Sequence, residues 1–148
     1  MREIIEQIGD DLAGLRDRAL LRVGLAGVLQ RAELAAIRVD HLDARNRGLR
    51  LTLLRLKGEG SGRAVTVHLP YGGTSLFPVQ APLRWQQAAE ITESPVFRRV
   101  CTPRTRRRDD GPLPSPVMGT ELIDSGSVAQ IIKRRAAAAG YNPEVIGG

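Results

Sequence analysis

Apolar residues recur along this chain in two rhythms, a helical one towards either end and a strand-like one in the middle. Ile4, Ile5 and Ile8 share a face of a short entry helix over Arg2 to Ile8, which Gly9-Asp10-Asp11 interrupts. Asp10 or Asp11 is placed to cap the next helix. There Leu15, Ala19, Leu20, Val23, Leu25 or Ala26, and Leu29 fall at helical spacing, with Arg16, Asp17, Arg18 and Arg22 expected on a wet side. A bend is expected near Gly24 to Gly27, leading to a second apolar helix over Glu33 to Ile37.

The period then changes. Val39 to Asp43 reads as a turn into a β region, and Gly48 to Leu56 alternates with Leu49, Leu51 and Leu53 on one face. Gly58 to Gly62 joins it to Arg63 to Leu69, where Val65, Val67 and Leu69 point inward, giving a β-hairpin closed off by Pro70-Tyr71-Gly72-Gly73. Leu76 to Ile91 reads as a helix with Trp85 on its apolar side and its regular part starting at Pro82. Val96-Phe97 is a short extended apolar piece. Arg104, Arg106, Arg107 and Arg108, followed by Pro112, Pro114 and Pro116, mark residues 101–120 as a mobile loop. Ser127 to Ala139 reads as a helix capped by Ser127 and stopped by Gly140. The fold class expected is α+β, mainly helical, with helices flanking a small antiparallel hairpin, in one domain over residues 1–148.

An apolar content of 42% over 148 residues is enough for a core of that size. The net charge of +6 rests on arginine, since Lys57 and Lys133 are the only lysines among 22 basic residues. Guanidinium forks match phosphate geometry, so nucleic acid is an eligible partner, although a GC-rich genome also yields an arginine- and alanine-rich chain. The single Cys101 excludes an internal disulfide framework and a cysteine-based zinc site. No signal-peptide pattern and no apolar run of about 20 residues is present, so the chain reads as cytoplasmic and not membrane-bound.

The stretch Gly14 to Val39, GLRDRALLRVGLAGVLQRAELAAIRV, resembles the opening of the catalytic domain of the tyrosine recombinases, the phage integrase family. The resemblance continues through Leu69-Pro70-Tyr71-Gly72, the segment around Trp85, Ser94 to Val100, and Ser127 to Gly140. The order of helices, hairpin and helices is also the family's. It covers the whole chain except the loop from Cys101 to Thr120. The resemblance implies DNA breakage and rejoining through a 3′-phosphotyrosyl link, with no metal and no other cofactor. Such a site needs cations on the phosphate oxygens, an acid for the leaving oxygen, and a tyrosine nucleophile.

By resemblance, the family's first arginine stands three residues before Glu33. That position is Gln30, an amide that adds no positive charge. Arg31 next to it keeps the charge, pointing about 100° away if the two share a helix; a slip of one residue would let it serve instead. Lys57 stands where the hairpin lysine, the general acid, would be; read from the residues alone it is a solvated hairpin lysine. Arg31, Lys133, Arg134 and Arg135 are candidate DNA contacts. Tyr71 and Tyr141 lie at neither end of a pattern that would make them the nucleophile. His41 and His68 read as surface turn and strand residues.

The family's His-x-x-Arg motif and nucleophilic tyrosine would lie beyond residue 148, so the resemblance implies an incomplete catalytic domain, inactive alone. Its partners would be double-stranded DNA and full-length recombinase protomers. The alternative is a non-catalytic DNA-binding or interfering protein derived from an integrase, and a third reading is a decayed fragment.

Overall fold

In a computed structural model the described residues are 1–55, 63–71, 79–101 and 115–145. Among them, helices α1 (Arg2–Glu6), α2 (Leu12–Gly27) and α3 (Arg31–Ala35) come first. A 3-10 turn over Val39–His41 leads to strands β1 (Leu42–Arg45), β2 (Gly48–Arg55) and β3 (Arg63–Pro70). Helix α4 (Gln80–Ala88), strands β4 (Arg98–Cys101) and β5 (Val117–Leu122), and helix α5 (Ser125–Ala138) complete the order. The architecture is α+β, with helices around small antiparallel sheets. No helix among the described residues is long and apolar enough to cross a membrane.

The larger sheet runs β1-β2-β3, antiparallel throughout. Leu49, Leu51 and Leu53 are buried on its inner face, opposite Leu69, Val67 and Val65 in register. A one-residue slip would turn all three leucines to solvent, at about 1.5–3 kcal/mol each, so the alternation pins the register. Gly48 starts β2 at φ 154°, and a Cβ there would lie 2.3 Å from the Leu69 carbonyl oxygen. No other residue fits where β3 passes so close.

Several sequence expectations need correction. Helix α2 does not bend at Gly24 but runs unbroken to Gly27, and Val28 closes it in the left-handed region at φ 49°. Helix α4 starts at Gln80, so Pro82 sits at its third position. The first four N–H groups of a helix have no intrahelical acceptor, so Pro82's missing donor costs nothing there. Asp11 caps α2 by accepting from the Gly14 N–H. Asp124 rather than Ser127 caps α5, accepting from the Ser127 N–H at 2.7 Å and from its hydroxyl. These bonds hold the Asp124 carboxyl below the ordinary carboxylate value. The ends of the stretch expected to be a loop are strand: Cys101 closes β4, and residues 117–120 belong to β5. The arginine run 104–108, Pro112, Pro114, and the Gly58 to Gly62 connection lie outside the described residues.

Two buried clusters hold these elements. The main one gathers residues from α2, α3, the large sheet, α4 and α5, with Trp85, Val96 and Phe97 among its fully buried members. Ile4, Ile5 and Ile8 of the entry segment form the second with Leu21 and Ala136, tying α1 to α2 and α5. Val96 joins three parts of the fold. Its carbonyl accepts from Trp85 Nε1 at 2.9 Å, its N–H donates to the Ile37 carbonyl, and the next carbonyl, Phe97, accepts from Ile123.

The largest departure from the sequence reading concerns charge. Arg16 and Asp17 lie not on a wet side but inside, at 5% and 0% exposure. Asp17 Oδ1 accepts from Arg16 Nε at 2.9 Å and Nη2 at 2.7 Å. Its Oδ2 accepts from Arg135 Nε at 2.8 Å and Arg134 Nη2 at 3.1 Å. Arg16 reaches on to the Arg98 carbonyl. One carboxylate thus ties α2 to α5 across 117 residues of sequence. Breaking a buried pair from one side leaves an uncompensated charge.

Asp17→Asn is expected to destabilise the chain by about 3–5 kcal/mol in urea denaturation followed by far-UV circular dichroism. Arg134→Gln, whose side chain is 60% exposed, should cost under about 1 kcal/mol. An Asp17→Asn chain as stable as the parent would show that this carboxylate does not bind the two helices. Trp85→Ala should cost about 3–5 kcal/mol by the same measurement, and Trp85→Phe clearly less. Equal losses would mean that ring volume contributes little beyond the Val96 hydrogen bond.

Candidate nucleic-acid interface

The Gln30 position is built by close packing of α2 and α3. A Cβ on Gly24 would stand 2.9 Å from Leu34 Cδ1, so α3 sits directly on the α2 backbone. The Leu29 N–H returns to the Gly24 carbonyl at 3.0 Å, turning the chain out of α2. Gln30 follows as the N-cap of α3, with extended backbone at φ −73°, ψ 157°. Its N–H donates to Glu33 Oε2 at 2.8 Å. Glu33 therefore locks the turn on which Gln30 is presented. Gln30 and Arg31 are not neighbours around one helix, as the spacing suggested, because Gln30 precedes the first helical residue. Both are exposed, so both side chains are available to a ligand.

Helix α5 packs on α3. Arg31 and Ile132 line the same apolar cavity of about 160 Å³, which brings Arg31 to the helix carrying Lys133, Arg134 and Arg135. Those three differ in what they have left to offer. Lys133 Nζ lies 3.6 Å from Glu144 Oε1. Arg134 touches Asp17 with one Nη while most of its side chain stays exposed, and Arg135 is turned inward at 21% exposure. Lys57 lies outside the described residues, between the ends of β2 and β3.

The tyrosines and histidines have ordinary structural surroundings. Tyr141 donates its hydroxyl to the Glu3 carboxylate, and that bond raises the phenol above its ordinary pKa, the opposite of what a nucleophile needs. The Tyr71 N–H donates to the Arg47 carbonyl beside β3. His41 Nδ1 accepts from the Arg38 N–H and closes the 3-10 turn. No group of three or more His, Cys, Asp or Glu among the described residues could hold a metal.

Two basic clusters escaped the sequence reading, one because it joins α2 to α4 and the other because only strand register brings His68 beside Arg50. Arg18, Arg22 and Arg84 meet where α2 packs against α4, around a cavity of about 70 Å³. Burial, then the charges of Arg18 and Arg84, lower the Arg22 pKa from its ordinary value. Arg45, Arg47, Arg50 and His68 surround a groove of about 350 Å³ at the β1–β2 end of the large sheet. Period-two placement of Arg50 between buried Leu49 and Leu51 was the available signal for the second.

No protein-family model matches the chain. It is 29% identical over 140 residues to an integrase/recombinase xerD homolog of Selenomonas ruminantium, covering 94% of this chain and 38% of that protein. Among solved structures, the XerH site-specific recombinase bound to its difH substrate in a pre-cleavage complex shares the fold, with a TM-score of 0.57 and 13% identity. That match covers 94% of this chain and 34% of the other. The chain thus spans about two-fifths of the curated relative's length and a third of the solved one's. In sequence the chain is similar to an integrase/recombinase, and in fold to a site-specific recombinase, over a part of each.

Proposed function

We propose that this chain acts in site-specific DNA recombination as a duplex-binding, catalytic-domain-like segment, and that these 148 residues do not themselves cleave or join strands. The observation that carries the reading is Gln30. It occupies an exposed, Glu33-locked turn next to Arg31, and by resemblance we take it as the position of the family's first arginine. Double-stranded DNA is the ligand that fits an exposed face supplied by Arg31, Lys133 and Arg134, with Arg135 serving as their inward anchor on Asp17. Lys57 keeps its role as the hairpin general acid by resemblance, with full-length recombinase protomers as protein partners.

The charge argument separates binding from chemistry. A neutral amide at position 30 can hydrogen-bond a phosphate oxygen, but charge-assisted bonds are roughly twice as strong. Losing a positioned group of this kind from a phosphoryl-transfer site costs on the order of 10²–10⁵ in rate. Binding relies instead on counterion release by several cations together, so one neutral position weakens it little. The alternative, a non-catalytic DNA-binding or interfering protein, shares the binding face and differs only in the absence of a recombining partner.

The chain is expected to bind duplex DNA in fluorescence anisotropy with an affinity falling steeply between low and moderate salt, and Arg31→Gln should shallow the salt slope by about one unit. On a nicked suicide substrate it should form no covalent adduct on denaturing gels. Binding that is absent at low salt would remove the DNA reading; a trapped adduct would remove the non-cleaving one.

A further inference from the structure

The groove at the β1–β2 end of the large sheet is lined by Arg45, Arg47 to Arg50 and His68 to Pro70, and by neither Gln30, Arg31 nor α5. Lys57 follows the opposite end of β2. An eight-residue strand at about 3.3 Å per residue sets the two ends of β2 roughly 25 Å apart.

The groove is assembled by sheet register. Asp43, Arg50 and His68 stand in one cross-strand row, with Arg50 paired to Asp43 on one side and to His68 on the other. Asp43 Oδ2 takes both Arg45 Nε and Arg50 Nη2 at 2.7 Å. The Arg45 bond is the main reason the Asp43 carboxyl lies below the ordinary carboxylate value. Arg45 and Arg50 thus share one carboxylate and Arg47 adds a third positive charge, leaving an excess of two before His68 is considered. Two donors are unspent. Arg50 Nε is buried with no hydrogen-bond partner, and Arg47 makes no side-chain ion pair with any described residue. Arg47, exposed where it lines the groove, is the donor that an acceptor from outside can reach. Gly48, Leu49, Leu69 and Pro70 provide the apolar part of the lining. A cationic rim over an apolar lining suits a sugar-phosphate unit better than a bare carboxylate, and about 350 Å³ is the low end of the range for small-ligand sites.

We infer that this groove is a second phosphate site, in which Arg47, Arg50 and His68 hold a backbone phosphate of duplex DNA with residues other than those of the Gln30–Arg31 face. Asp43 fixes the Arg45 and Arg50 forks, and Arg47, without an ion pair among the described residues, is the cation that meets the ligand. The inference rests on the DNA-binding reading for the source of the phosphate but not for the existence of the site.

The test uses the full 148-residue chain with a fluorescein-labelled duplex across a potassium chloride series, comparing the parent with Arg47→Gln, His68→Gln and Arg31→Gln. Arg47 is exposed and has no side-chain partner among the described residues, so its replacement leaves the fold intact, which circular dichroism verifies. Arg47→Gln is expected to weaken binding about 3–10-fold and to reduce the salt slope by about one, with His68→Gln weakening it less. An Arg47→Gln chain that matches the parent in affinity and slope, while Arg31→Gln is weakened, overturns the groove and leaves the DNA reading standing. If the parent binds no duplex at low salt, the DNA reading falls and inorganic phosphate decides the site by itself. Saturable shifts of the Arg47 and Arg50 Nε–Hε resonances with phosphate, absent with chloride, support it as a free-phosphate site; no shift overturns it.

Discussion

Asp17 is the group on which the arrangement of this chain depends most. A carboxylate at 0% exposure is tolerable only if its charge is matched and its oxygens are filled, and three guanidinium groups do both. Arg16 comes from the adjacent position on α2, whereas Arg134 and Arg135 come from α5. The network therefore converts a charge that could not be buried alone into a joint between two distant helices. It also decides which basic residues remain available. Arg135 is drawn inward, Arg134 stays largely exposed, and Lys133 lies beside Glu144. A run of three cations that looks uniform in sequence becomes three residues with different freedom.

The part of the fold governed by periodicity was legible in the sequence. Leu49, Leu51 and Leu53 declare a half-buried strand through strict alternation, and Ile4, Ile5 and Ile8 declare the inward face of a short helix. What was not legible was set by partners distant in the chain. Arg16 and Asp17 look like a wet face until α5 is placed against them. Strands β4 and β5 are short and carry no clean alternation, and they pair across a segment rich in arginine and proline. Pro82 looked like a helix start because proline is rare inside helices, yet the third position is as free of hydrogen-bond demand as the first. The cap of α5 moved from Ser127 to Asp124 because the aspartate is placed to take both the N–H and the hydroxyl of that serine.

The candidate interface was half visible in the same sense. Gln30, Arg31 and the basic stretch of α5 were named from the sequence, and the packing of α5 on α3 brings their elements together. The groove of Arg45, Arg47, Arg50 and His68 needed the strand register, since only cross-strand pairing puts Asp43, Arg50 and His68 in a row. Its charge excess is local, and the overall charge of +6 carried no hint of where on the surface it collects.

Because α3 rests on the α2 backbone at Gly24 and the following turn is tied by Leu29 and Glu33, the address of position 30 is set by groups other than its own side chain. Its backbone N–H makes the locking bond, and any non-proline residue supplies that. The amino acid at this place can therefore be exchanged between neutral and cationic without disturbing the frame that presents it.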